Sequence, residues 1–174
     1  MAIDVRKILS GELHKLAISH SFSLTDDFPF DTDVDGVVFT KPVTVVGEIV
    51  NMGGYISLDV TVHADYDAEC ARCLTPLERS FETSFSRTVV KKGGLVNTAE
   101  EDAEDYIEVS DGMLEIEIVA AEQLMLDFPM KELCDEDCKG LCPKCGHDLN
   151  EGDCGCVKKE IDPRLAILQK LLEK

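Results

Sequence analysis

Eight cysteines in a chain of 174 residues fall into four close pairs: Cys70/Cys73 in CARC, Cys134/Cys138 in CDEDC, Cys142/Cys145 in CPKC and Cys154/Cys156 in CGC. Four thiolates complete a tetrahedral Zn²⁺ site, and short pairs suit a site that takes two ligands from each of two chain segments. The pattern therefore predicts two structural zinc ions. No apolar run approaches the roughly 18 residues of a membrane span, and the opening MAIDVRKILSGELHKL lacks the apolar core and cleavage site of a signal peptide. The expected location is the cytoplasm, with no membrane partner. In that reducing compartment close cysteines stay thiols or thiolates, which favours metal binding over a disulfide framework or a redox CxxC.

The zinc-knuckle sequence CPKCG places two thiolates two residues apart, and Gly146 permits the left-handed turn that aims backbone amides at sulfur. CGC lies close enough in sequence to complete the same site, which assigns Cys142, Cys145, Cys154 and Cys156 to one ion and leaves Cys70, Cys73, Cys134 and Cys138 for the other. A competing partition takes Cys134, Cys138, Cys142 and Cys145 as one continuous set and joins CARC to CGC; spacing alone leaves both open. The CxxxCxxC spacing over 138–145 also matches that of radical-SAM iron–sulfur enzymes, but those need a large surrounding barrel. Sites made wholly of thiolates leave no open position for water, so the zinc reads as structural rather than catalytic. The sequence holds no HExxH, P-loop, GxSxG or GxGxxG, and its four histidines at 14, 20, 63 and 147 form no ligand spacing. No enzymatic activity and no small-molecule substrate are expected.

From Val37 the hydrophobic period is two. VVFT and VTVVGEIVN are followed by a turn at Asn51–Gly54, then by YISLDVTVHADY, in which Ile56, Leu58, Val60, Val62 and Ala64 alternate with polar neighbours. FETSFSRTVV alternates again after CARC, so the first cysteine pair sits on a turn between two strands. A short extended YIEV precedes MLEIEIVAAEQLMLDF, read as a helix capped by Ser110 or Asp111 and stopped by Pro129. Asp162 and Pro163 open a C-terminal helix with Leu165, Leu168 and Leu172 on one stripe. The expected fold class is α+β: an antiparallel β meander with a packed helix and a zinc-stabilised, Cys-rich C-terminal module. Residues 1–36 read as a weakly ordered arm with a short helix around Val5–Leu16. Residues 37–133 form the sheet and helix with an acidic loop at 93–106, and 134–174 the Cys-rich module and last helix.

The order CARCLTPLERSF, acidic loop, LMLDFPMKELCDEDCKGLCPKCGHDLN and DPRLAILQKL closely resembles the YceD family, the large ribosomal RNA subunit accumulation proteins, over roughly residues 37–174. The resemblance implies a non-enzymatic ribosome biogenesis factor that supports accumulation of large-subunit (23S) rRNA. It also implies that the CxRC pair is the more general feature and that the CPxCG and CxC pairs come and go as a unit, which favours the first partition of the cysteines. Basic function is then expected near the first site, with Arg72 as a candidate partner contact.

Two partners remain in view, a large-subunit rRNA precursor and a basic ribosomal protein. The formal charge of −18 repels phosphate. Residues 93–130 hold eleven acids and no Lys or Arg, whereas 131–174 hold ten acids against eight bases. Lys158, Lys159 and Arg164 are the candidate RNA contacts in that late segment, although no aromatic follows residue 128. An acidic binding protein or chaperone for a basic ribosomal protein fits the charge at least as well. A third class, a zinc–thiolate redox switch, requires reactive thiolates.

Overall fold

The computed structural model describes residues 2–24, 28–29, 32, 34, 36–92 and 106–156. In chain order the elements are β1 (Ile3–Asp4), α1 (Arg6–Leu9), β2 (Lys15–Phe22), β3 (Val37–Phe39), β4 (Val43–Met52), β5 (Tyr55–Glu69), β6 (Pro76–Lys91), β7 (Tyr106–Val109), β8 (Met113–Leu114) and α2 (Ile116–Asp127). The main sheet runs β2-β4-β5-β6-β7, with β3 also pairing β5. All of its pairings are antiparallel except β6–β7, which makes a mixed sheet out of the expected meander.

The alternating sequence dictates this sheet. Leu58, Val60, Val62, Ala64, Tyr66 and Ala68 of β5 are buried on one face. The register sets Val60 opposite Phe85, Val62 opposite Thr83 and Ala64 opposite Phe81, so the aromatic side of β6 joins the same face. The β4–β5 hairpin closes through Gly53 and Gly54, both at positive φ (74° and 109°), with Met52 opposite Tyr55. Gly54's φ lies beyond the left-handed region that side-chain-bearing residues reach, so that position requires glycine. Gly47 in β4 has a different reason to be glycine: a Cβ there would lie 2.2 Å from the Asp59 carbonyl oxygen. Gly47→Ala is expected to destabilise the fold by about 2 kcal/mol, read as a lower denaturant midpoint at unchanged slope.

Helix α2 covers the apolar face with Ile116, Val119, Ala120, Ala121 and Leu124, the paired alanines allowing close approach to the sheet. Each of the larger chains contributes roughly 2 kcal/mol on burial. Thr83 Oγ1 and Gln123 Nε2 both donate to Asp127 Oδ2 (2.5 and 2.8 Å), and Arg87 donates to Gln123 Oε1 (2.8 Å), which ties β6 to the helix edge. The helix ends as expected before Pro129: Phe128 is extended at ψ 136°, the conformation a following proline imposes. Phe128 packs against Phe39, Tyr66 and Phe81 with ring centroids 4.9–5.5 Å apart.

Two expectations are corrected. Ser110 and Asp111 do not cap α2; Glu115 precedes the helix without a side-chain cap bond. Asp111 and Gly112 instead take positive φ in a tight turn, and Met113–Leu114 pair with β1. The strand-like alternation of MLEIEI is thus expressed in its first two residues before the helix takes over. The N-terminal segment is not merely an arm either. Its helix is confined to Arg6–Leu9, with Ile8 buried, and Lys15–Phe22 forms a strand paired with β4 along its whole length, because KLAISHSF alternates and buries Ile18 and Phe22. The acidic loop at 93–105 and the C-terminal helix opened by Asp162 lie outside the described residues.

Candidate metal centres

The long β5–β6 hairpin ends in residues 70–75, where CARCLT forms a knuckle. Cys70 N–H donates to the Thr75 carbonyl and Leu74 N–H to the Cys70 carbonyl, both at 2.9 Å. The turn requires a left-handed residue, and Leu74 supplies it at φ 61°, a conformation that costs a side-chain-bearing residue roughly 1–2 kcal/mol. CPKCG repeats the geometry: Gly146 N–H donates to the Cys142 carbonyl at 2.9 Å, with Gly146 at φ 73°. CARCL and CPKCG are therefore two copies of one turn, with leucine standing where glycine is usual.

The chain leaving α2 is laced onto the first knuckle. Ala71 N–H donates to the Glu132 carbonyl (2.8 Å), the buried Tyr66 hydroxyl donates to Glu132 Oε1 (2.6 Å), and Arg79 donates to the Leu133 carbonyl (3.2 Å). Burial and the Glu132 carboxylate both disfavour tyrosinate, so the Tyr66 pKa is raised. Arg72 closes the lacing from the other side, its Nη1 donating to the carbonyls of Cys138 (2.7 Å) and Glu136 (3.1 Å), while its own carbonyl accepts from Leu141 N–H (3.0 Å). Gly140, at φ 72°, sits so close that a Cβ would lie 2.8 Å from that carbonyl. Arg72→Ala is expected to cost about 1–2 kcal/mol and, with a metal ion in the group, to speed its loss to a chelator, which a colorimetric metal-release assay would follow.

These elements gather the cysteines into two groups, Cys70/Cys73/Cys134/Cys138 and Cys142/Cys145/Cys154/Cys156, and within each all four sulfurs lie within 4.8 Å of one another. The alternative partition is not formed. A tetrahedral ion with metal–sulfur bonds of about 2.3 Å requires sulfurs about 3.8 Å apart; Cys70–Cys138 are at 3.8 Å and Cys73–Cys134 at 3.6 Å. Both groups could hold a metal ion. The first is deeper: Cys70, Cys73 and Cys138 are buried, with Leu77, Leu133 and Leu141 packed around them. In the second only Cys142 is buried, and Cys145 is exposed.

Electrostatics point the same way. Burial raises the Cys70 pKa, but backbone N–H groups of Cys134, Arg72 and Cys73 outweigh it and bring the thiol down to about 6. Amides of Lys144 and Cys145 bring Cys142 to about 6 likewise. Neighbouring sulfurs push Cys134 and Cys156 up to about 12. Four sulfurs so close ionise together only around a cation, and the inward-pointing amides supply part of the compensation.

The structure thus places all eight predicted cysteines in the two groups and bonds Arg72 to the main chain of Glu136, Cys138 and Leu141. Lys158, Lys159 and Arg164 lie outside the described residues. Sequence reading missed Thr75, whose hydroxyl is 3.1 Å from the Cys73 sulfur, and Asn150, whose amide reaches Cys138. The likeness of CARCL to CPKCG could have flagged the turn at Leu74, but nothing in the sequence links Asn150 to a distant cysteine group. Among the described residues no helix is long and apolar enough to cross a membrane.

Comparison with known proteins places this arrangement. The uncharacterized protein YlbN of Bacillus subtilis is 29% identical over 160 residues, covering 84% of this chain and 89% of its own. Rv2926c of Mycobacterium tuberculosis is 33% identical over 113 residues, and there the match spans 64% of this chain but only 53% of the relative. The chloroplastic large ribosomal RNA subunit accumulation protein YCED homolog 1 of Arabidopsis thaliana is 25% identical over 158 residues, covering 76% of this chain and 49% of its own. No solved structure matches. The family model for the large ribosomal RNA subunit accumulation protein YceD matches residues 58–172, from near the start of β5 through both cysteine groups, and the chain belongs to that family.

Proposed function

We propose that the chain is a non-enzymatic cytoplasmic factor that supports accumulation of large-subunit rRNA, and that each cysteine group holds one structural Zn²⁺. The family match over residues 58–172 carries the rRNA reading, and the convergence of four sulfurs per group from two segments each, at separations that suit a closed tetrahedral site, carries the metal one. When bound, the ions would supply the cross-links that the Cys-rich segment 134–156, poor in large apolar side chains, does not make by packing. Cys70, Cys73, Cys134 and Cys138 would clasp the exit of α2 to the β5–β6 turn. Cys142, Cys145, Cys154 and Cys156 would close the following module.

The outer face of the sheet favours a basic protein over naked RNA as the direct partner. In the β5–β6 pairing Asp67 stands opposite Glu78, and in β4–β5 Asp59 stands opposite Glu48, which Lys15 ion-pairs. Like charges directly opposed across strands destabilise a sheet, and Asp59, Asp67, Glu69, Glu78 and Glu82 are all exposed there. A Lys/Arg-rich segment of a ribosomal protein would relieve this repulsion, whereas phosphate would add to it. Holding such a protein until rRNA receives it supports the same accumulation.

The test is complementation of a strain lacking the gene, scored as the ratio of large- to small-subunit rRNA. The wild-type chain is expected to restore the ratio and Cys70→Ser/Cys73→Ser to fail. An unchanged ratio in the deletion strain would sink the rRNA reading. For the partner, purified basic ribosomal proteins should bind at moderate salt and lose about tenfold in affinity with Asp67→Lys/Glu78→Lys; binding of a 23S fragment in their place would select RNA instead.

A further inference from the structure

Asn150 belongs to the second cysteine module, in the loop between Cys145 and Cys154, yet its side chain is spent on the first. Lys139 N–H donates to Asn150 Oδ1 at 2.8 Å. A backbone N–H can only donate, so the amide oxygen must face it and the NH₂ must face the other way. That NH₂ donates to Cys138 Sγ at 3.4 Å and to Asp148 Oδ1 at 2.8 Å. Asp148 also accepts from Asn150 N–H at 2.8 Å, which fixes the side chain's base.

The loop that carries Asn150 hangs on the second knuckle. Cys142 N–H donates to the His147 carbonyl (2.8 Å), Leu149 N–H to the Gly140 carbonyl (2.9 Å), and Leu141 and Asp148 form an isolated antiparallel bridge. Residues 141–150 therefore form a small closed unit that carries Cys142 and Cys145 of the second group and ends on Asn150, a donor to the first. An N–H aimed at a metal-bound thiolate stabilises the charged ligand and fixes its direction, and losing such an outer partner typically costs about 10–100-fold in metal affinity.

We propose that Asn150 couples the two cysteine groups: metal in the second orders the 141–150 unit, and the Asn150 amide delivered to Cys138 then tightens the first group's hold on its own ion. This rests on the reading of both groups as metal sites. Coupling of this kind is reciprocal, so metal in the first group tightens the second by the same factor. Asn150 acts here as a positioning residue, and the more exposed second group becomes the one through which the buried clasp is tuned.

The experiment is a chelator titration of the zinc-loaded full chain by native mass spectrometry, with Co²⁺ substitution to read the thiolate charge-transfer bands. The wild type should release its ions in two steps. Asn150→Ala is expected to weaken the first group about 10–100-fold and, by the same coupling, to loosen the second. Cys142→Ser/Cys145→Ser should empty the second group and weaken the first to a similar extent. Adding Asn150→Ala to that pair should then cost little more, because the coupling is already lost. Asn150→Asp, which keeps an acceptor for Lys139 but sets a carboxylate against the sulfur, should weaken the first group while circular dichroism stays native, which separates the effect from misfolding. Unchanged first-group affinity in Asn150→Ala, in Asn150→Asp and in the Cys142→Ser/Cys145→Ser pair would overturn the coupling and leave the metal reading intact. No ions in the wild type would overturn both.

Discussion

With one ion in each group, as proposed, Cys70→Ser/Cys73→Ser should lower the metal content from two ions per chain to one and release the segment after α2 from the sheet. The apparent binding free energy of a four-ligand structural zinc is about 10–16 kcal/mol in small domains, comparable to the whole stability of an ordinary one. The remaining contacts, the hydrogen bonds of Tyr66, Ala71, Arg72 and Arg79 and a handful of leucines, are too few to hold the clasp closed. The sheet core lies elsewhere, around Leu58, Val62 and Leu124, and should persist. Native mass spectrometry reads the lost ion, and amide exchange should show new exposure from Glu132 to Leu141 with protection retained in β4 and β5. Retention of two ions by the variant would refute the assignment of these ligands.

Phe128→Ala is the second large effect, at about 4 kcal/mol. Phe128 touches three aromatic rings at once and is 8% exposed. Truncation leaves a cavity that β-sheet neighbours cannot close, since Tyr66 is held by Glu132 and Phe39 and Phe81 are held by strand register. The residue also fixes the direction in which the chain leaves α2 toward Cys134. A fall in the thermal midpoint should therefore be accompanied by faster zinc release from the first group. Phe128→Leu, which refills most of the volume, should recover much of both.

The sheet was legible in the sequence because burying one face of a strand imposes a period of two, and YISLDVTVHADY shows that period without interruption. The grouping of the cysteines was legible in part: tetrahedral coordination needs four ligands, which left two partitions open, and the family resemblance favoured the one that the structure forms. β2 was harder to see, since KLAISHSF is short and follows a segment with helical residues. The caps of α2 were misread because Ser110 and Asp111 suit a tight turn as well as a helix start; the positive φ of Asp111 and Gly112 decided between them. Arg72 was expected as a partner contact, and its Nη1 also meets carbonyls of its own chain. Which side chain answers a buried carbonyl depends on a contact 66 residues away in the chain, and no local pattern records it.

The two cysteine groups also differ in how much chain must be brought to order before each can close. Cys70 and Cys138 are separated by 68 residues, so the first group must wait for the hairpin, the helix and the exit of α2. The second draws all its ligands from 142–156, a loop short enough to form by local search. Loop-closure entropy rises with loop length, and non-local contacts form late in folding. During refolding in the presence of metal the second group should fill first, and the rate at which the clasp takes up its ion becomes a clock for completion of the sheet.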